Sequence, residues 1–201
     1  VQSALNITYL SGLSSISLED GDVNFVQAHN PAVDLALNGQ FLSMAFSTFR
    51  SVTGGDGNDN VWLGQGSVVS GGIALGQGND RVVLDNFWPP APTVPGASGG
   101  GGHDQLDVWS ATRGQLSMDF AAFSGFEVFG FNSEYGERWG ALTATNLDGI
   151  REVRIGSTST LTIAQSQLSG SVVTGGYGGG LVVEATSLIG RYGMPEVGPW
   201  D

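Results

Sequence analysis

The chain has 201 residues, of which 33 are glycine, 40% are hydrophobic and none is cysteine. This is enough apolar material to fold, which excludes a disordered glycine-rich linker, and the lack of cysteine excludes disulfides and thiolate metal sites. Nineteen acidic residues against seven arginines and no lysine give a formal net charge of −12, which disfavours nucleic acid and anionic membranes and suits a cation-binding or secreted protein.

No apolar run is long enough to span a bilayer, so membrane insertion is not expected. The sequence starts at Val1 with no leader-type segment, so a fragment or processed form is expected. Along the chain, short apolar or alternating runs recur at Ile16–Leu18, Val33–Leu35, Val61–Leu63, Arg81–Leu84, Glu127–Phe129, Glu152–Ile155, Leu161–Ile163 and Leu181–Val183. Gly, Asn, Asp or Ser bound most of them, which reads as short strands and turns. Phe41 to Phe49 is the one stretch that suggests a helical turn or two. "WPPAPTVPGAS", Trp88 to Ser98, carries four prolines and predicts an excursion from the regular structure.

Three sets of internal repeats suggest a stacked architecture. "GQFLSMAF" (39–46) returns as "GQLSMDF" (114–120). "FSTFRSV" (46–52), "FSGFEV" (123–128) and "LDGIREV" (147–153) share a pattern of apolar and polar steps ending in Val. In the third set, "TGGDGNDNVW" (53–62) returns as "LGQGNDRVV" (75–83), as "GGGGHDQLDV" (99–108) and, without acidic residues, as "TGGYGGGLVV" (174–183). Repeated phenylalanines in 41–49 and 120–131 are expected to form a core ladder.

The pattern G-G-x-G-x-D-x-apolar-x fits Gly54 to Trp62 and Gly99 to Asp107 at every specified position, and Gly76 to Val82 fits its later half. These segments resemble the calcium-binding nonapeptide of the RTX family of secreted bacterial proteins, whose repeats build a parallel β-roll. The resemblance covers about 60 residues in scattered pieces. It implies that Asp59, Asp80 and Asp104 ligate Ca²⁺, supported by carbonyls of Gly54, Asp56, Gly57, Gly76, Gly78, Gly100 and Gly102. Ca²⁺ takes six to eight oxygen ligands, and glycine allows the bend that turns carbonyls inward. The three aspartates are 21 (59 to 80) and 24 (80 to 104) residues apart, roughly one coil each, so their turns would stack on a single side. Turns such as "LGQGSVVSGG" (63–72) would form the other side, and few ions are expected. Tyr177, Gly179 and Gly180 replace the acidic and amide positions in the fourth copy, which is expected to keep the bend without the cation.

Other readings compete for the same residues. Each aspartate could instead be an Asx-turn residue bonding its own backbone, but turn stabilisation does not require the whole spaced glycine pattern, which favours calcium. His103 reads as a solvated turn residue, and His29 near Asp34 lacks a nucleophile motif. The pairs Asp104/Asp107 and Glu134/Glu137 have the composition of an acid–base pair, but calcium accounts better for Asp104, and Glu134–Arg138 reads as a solvated loop. Trp88, Trp109, Tyr135 and Trp139 would stack on sugars or cap strands, with Tyr135 and Trp139 as the weak ligand-binding candidates. Arg50, Arg113, Arg138, Arg151, Arg154 and Arg191 are scattered, with no compact acid–base cluster around them.

The expectation is therefore an all-β, irregular parallel β-roll or β-solenoid, with Gly/Asp-rich turns on one side and a Pro-rich excursion. It forms one domain over 1–201, with N-terminal strands or cap (1–45), a calcium-turn region (46–110), metal-poor coils (111–184) and a C-terminal cap or tail (185–201). The expected function is a non-enzymatic, calcium-binding structural or adhesive module of a larger secreted bacterial surface protein, folding on Ca²⁺ after export. Its partners would be calcium ions and either a cell-surface polysaccharide or copies of itself. The alternative is a carbohydrate-binding or carbohydrate-active solenoid related to lyases or epimerases.

Overall fold

Short aliphatic runs cut by glycine-rich turns cannot bury their apolar faces alone, and here they do so by stacking. The computed structural model describes residues 5–7, 14–18, 22–86, 89–110, 114–132, 140–156, 159–168, 171–175 and 180–184. Every strand pairing among them is parallel. The chain is an all-β parallel solenoid.

The first wall is a nine-stranded sheet of β1 (Leu5–Ile7), β3 (Val23–Val26), β5 (Phe41–Ala45), β7 (Asn60–Leu63), β10 (Arg81–Asn86), β12 (Gln105–Ser110), β15 (Val128–Asn132), β17 (Glu152–Ile155) and β19 (Val172–Gly175), in that order. The second wall begins as β2 (Ser15–Ser17), β4 (His29–Ala36), β6 (Thr48–Thr53), β9 (Ile73–Ala74), β11 (Ala97–Ser98) and β14 (Phe123–Ser124), with β8 (Val68–Val69) also paired to β6. It continues as a third sheet of β13 (Gly114–Asp119), β16 (Gly140–Thr145), β18 (Ser159–Ala164) and β20 (Gly180–Glu184). Leu5, Val23, Leu42, Val61, Val82, Leu106, Phe129, Val153 and Val173 align across the first wall. One coil therefore takes from 18 residues (5 to 23) to 24 (82 to 106).

Alternation along each strand sends one side chain inward and the next outward. The inward set forms continuous columns: Phe25, Met44, Leu63, Leu84, Val108, Phe131 and Ile155 from the first wall meet Leu35, Val52, Ile73 and Ala97 from the second, or Leu142 and Leu161 from the third. Each fully buried Leu, Phe or Met contributes about 1.5–3 kcal/mol, and the columns fix the register, since a one-residue slip would turn them all to solvent. Ring contacts tie the walls together, with Phe25–Phe49 centroids 4.7 Å apart and Phe120–Phe129 centroids 5.3 Å apart.

Two local expectations change. Phe41–Phe49 forms no helical turn: β5 and β6 occupy it, because Leu42, Met44 and Phe49 all fit the period of two and reach the core. Within that stretch Phe46 is 45% exposed at a positive φ of 49°, so it turns the corner and leaves the core ladder. The proline-rich stretch departs from regular strand as expected, with no strand between β10 and β11 among the described residues, and it stays hydrogen-bonded to the neighbouring coil. Gly66 N–H donates to the Pro90 carbonyl, Thr93 N–H to Ser67 and Val69 N–H to Thr93, so the segment lies along the second wall, with Ala97–Ser98 as a short strand. Pro89 and Pro90 supply acceptors to the neighbouring coil, a role that needs no N–H.

Candidate functional site

The turns that precede the first wall bring the sequence-predicted aspartates together. Asn60, Arg81, Gln105 and Val128 share one register position, so the residues just before them, Asp59, Asp80, Asp104 and Glu127, form a column along the stack. Gln40 precedes the column and Arg151 follows it in the same register. The first three carboxylates are buried, at 1%, 1% and 0% exposure.

Each acid bonds to the coil on its N-terminal side. Asp59 Oδ1 accepts N–H groups from Gly39 (2.6 Å) and Gln40 (3.0 Å). Asp80 Oδ1 accepts Asp59 N–H at 2.8 Å, and Asp104 Oδ1 accepts Asp80 N–H at 2.8 Å. Glu127 Oε2 accepts Asp104 N–H at 2.8 Å. These bonds join neighbouring coils, whereas an Asx turn bonds within its own; the local-turn reading of the three aspartates is replaced by a ladder. A second ladder runs beside it, with Asn79 N–H donating to Asn58 Oδ1 (2.7 Å) and His103 N–H to Asn79 Oδ1 (2.9 Å). His103 is exposed, as expected of a turn residue.

The other carboxylate oxygens have no partner. Oδ2 of Asp59, Asp80 and Asp104 is buried without a hydrogen bond in each case, an arrangement that is costly for a charged group. Burial pushes the Asp80 carboxyl up to about 6, with the charges of Asp104 and Asp59 adding to it against the Asp59 N–H bond. Burial raises Asp104 as well, with Glu127 contributing. Acids repeating at the strand spacing of ~4.8 Å repel by roughly 3–4 kcal/mol per neighbouring ionised pair at an effective dielectric of about 20. That exceeds the ~1.5–3 kcal/mol of one charge-assisted hydrogen bond. The column needs protons or cations beside it.

The expected backbone ligands divide. Gly76 O is taken by Gly101 N–H at 2.8 Å. Among the described residues, the carbonyls of Gly54, Asp56, Gly57, Gly78, Gly100 and Gly102 accept no backbone N–H. Carbonyls do not all turn inward as expected: those of Gly57 and Gly78 point along the stack, at the glycine of the next turn. Gly54 is required by close approach, because a Cβ there would collide with the Leu75 carbonyl and with Asp59 Oδ2. No group of three or more acidic or imidazole side chains converges among the described residues. A cation at this column would therefore be held by one or two carboxylates and by backbone oxygens, a donor set suited to Ca²⁺. The orphaned Oδ2 atoms and unused carbonyls fit that group.

Sequence reasoning missed two features. Glu127, in "FSGFEV", continues the column although its turn lacks the glycine pattern; its signal was its place one residue before a strand, 23 residues after Asp104. The second is a polar network that gathers Arg154, expected to be scattered, with Arg81 and three polar neighbours. On the outward face of the first wall, Asp107 is ion-paired with Arg81 (Nε–Oδ2 2.6 Å), and Gln105 Nε2 donates to both its oxygens at 2.9 and 2.7 Å. Arg154 joins them through Gln105 Oε1 (2.9 Å) and Glu152 Oε1 (2.7 Å). Asp107 belongs to this group and forms no pair with Asp104. Tyr135, Trp139, Glu134, Glu137, Trp88, Tyr177 and residues 185–201 lie outside the described residues. Compared with family models, with curated proteins and with solved structures, the chain shows no significant match to any.

Proposed function

We propose that this solenoid is a calcium-stabilised structural module of a larger secreted bacterial surface protein, with Ca²⁺ bound along the acidic turn column and no catalytic role. The observation that carries this reading is the three stacked aspartates, each burying one carboxylate oxygen without a partner. Asp59, Asp80 and Asp104 would hold the ions, with the carbonyls of Gly54, Asp56, Gly100 and Gly102, which accept no backbone N–H among the described residues. The ion supplies positive charge and oxygen coordination there. The chain's own contribution is the stack itself, which sets the acids at one-coil intervals and ends the column at Gln40 and Arg151.

Coupled folding follows from the electrostatics. Without cations the ionised column repels and opposes stacking, so the module stays unfolded and exportable where free Ca²⁺ is scarce. Outside the cell, binding to the folded state alone stabilises it by mass action. The stacked module then presents its walls for adhesion. Far-ultraviolet circular dichroism of the chelated chain tests the reading: added Ca²⁺ should produce a large gain in β signal, with Mg²⁺ much less effective because it demands a smaller octahedral site. A β spectrum and melting point identical in excess chelator and in Ca²⁺ would refute it.

A further inference from the structure

Away from the turns, the outward face of the first wall carries a second assembly. Val83 points outward by register, opposite its inward neighbour Val82, and is absent from the core cluster, yet it is fully buried. Trp62 stands beside Val83 and Trp109 beside Asp85 in register, on the strands to either side, and their ring centroids are 4.7 Å apart with 69° between planes, so the indoles lean together over β10. Trp62 Nε1 donates to Asp85 Oδ2 at 3.0 Å, which fixes that indole.

Beside the indoles sits the Arg81–Asp107–Gln105–Arg154–Glu152 network. Its centre depends on Gly130, where any Cβ would collide with Asp107 Oδ1. Arg154 reaches back across that gap to Gln105. The Arg81 and Arg154 side chains remain 34% and 47% exposed, and each guanidinium has five N–H donors, more than its partners here consume. Covering Val83 accounts for the indole pair; it does not account for five planar polar side chains locked in position next to it.

Aromatic rings flanked by fixed acid, amide and guanidinium groups match a ligand with apolar ring faces and many hydroxyls. Two arginines against Asp85, Asp107 and Glu152 leave this patch near neutrality in a protein of charge −12, so it offers no attraction to a polyanion. From β7 to β17 the groups recur at ~4.8 Å steps over roughly 19 Å, a track along the stacking axis long enough for several sugar rings. Because the groups are already ordered by one another, little entropy is lost on binding.

We propose that the outward face between Trp62 and Arg154 binds an uncharged polysaccharide laid along the solenoid axis. This goes beyond the calcium reading and uses none of the turn residues. The test is affinity electrophoresis of the intact chain in Ca²⁺-containing gels cast with soluble β-glucan, xylan or glucomannan, with alginate and polygalacturonate as anionic polymers. Retardation by at least one uncharged polymer is expected, with intrinsic tryptophan fluorescence shifting on titration. Arg154→Ala should weaken binding at least ~10-fold, or about 1.4 kcal/mol, at an unchanged melting point. Trp109→Phe, which keeps Val83 covered, should also weaken it. No retardation by any uncharged polymer, retardation by the anionic polymers alone, or wild-type binding by both variants would overturn the proposal. If calcium proves irrelevant to folding, the same gels without it still decide this site.

Discussion

Replacing Asp80 with asparagine separates the two jobs its carboxylate performs. Asparagine keeps an oxygen to accept Asp59 N–H, a bond of 2.8 Å, but cannot ionise. The Asp80 carboxyl titrates at about 6 in the fold against an ordinary 3.8. A raised acid binds its proton more tightly folded than unfolded, so its stabilising share is complete below about pH 4 and is lost as pH rises through about 6. Two pH units correspond to roughly 3 kcal/mol at most. The new amide places an N–H₂ where Oδ2 has no partner, which costs about 1–2 kcal/mol. In chelator near pH 7.5, Asp80→Asn should therefore be more stable than the native chain by about 1–2 kcal/mol, and near pH 4 equal or slightly weaker. Osmolyte-induced folding of both chelated proteins at the two pH values, followed by circular dichroism, measures this, and the difference between them isolates Asp80 from Asp34, Asp119 and Glu152, which titrate the other way. In Ca²⁺ the order should reverse, because the variant loses a charged ligand. A stability difference that does not change with pH, or a variant as weak in chelator as in Ca²⁺, would refute the reasoning.

Glu127→Ala leaves the buried Asp104 N–H without its acceptor and should cost about 1–3 kcal/mol in urea unfolding, with Glu127→Gln recovering most of it. Gly54→Ala must displace the Leu75 carbonyl or Asp59 Oδ2; a loss of about 1–3 kcal/mol or more is expected by thermal melting. Arg50→Ala removes the guanidinium that holds the exposed Asp34 carboxyl down at about 2. NMR titration should then find Asp34 moved up toward the ordinary carboxylate range, short of it because the Ser51 hydroxyl still donates to Oδ1, with the melting point almost unchanged, since exposed pairs contribute little.

The parallel stack was legible because it rests on features local to the sequence. Gly-Asn-Asp turns mark coil boundaries, the aliphatic runs fit a period of two, and Asp59, Asp80 and Asp104 recur at about one coil. Where the coil length drifts, that local signal fails: Glu127 falls in register with Gly125 alone before it, outside the spaced glycine pattern. Phe41–Phe49 misled because Leu42, Ala45, Phe46 and Phe49 follow the i, i+3, i+4, i+7 spacing of a helix face, and only the corner at Phe46, with its positive φ, shows that two strands meet there. The proline stretch was legible because proline cannot donate to a ladder, and no strand forms between β10 and β11 among the described residues; that Pro90 still accepts from the neighbouring coil was not. The outward cluster was invisible for a different reason. Arg81, Asp107 and Arg154 lie on three coils, and only the pairing of β10, β12, β15 and β17 puts them on one face around Gly130.

The central claim is that a column of buried acids is balanced by Ca²⁺. Isothermal titration calorimetry of the chelated chain with calcium chloride, near pH 7.5, tests it directly. The account predicts saturable binding of about one to three ions and, in Asp59→Asn/Asp80→Asn/Asp104→Asn, loss of that binding. Absence of saturable heat from a chain that is already folded in chelator would contradict it.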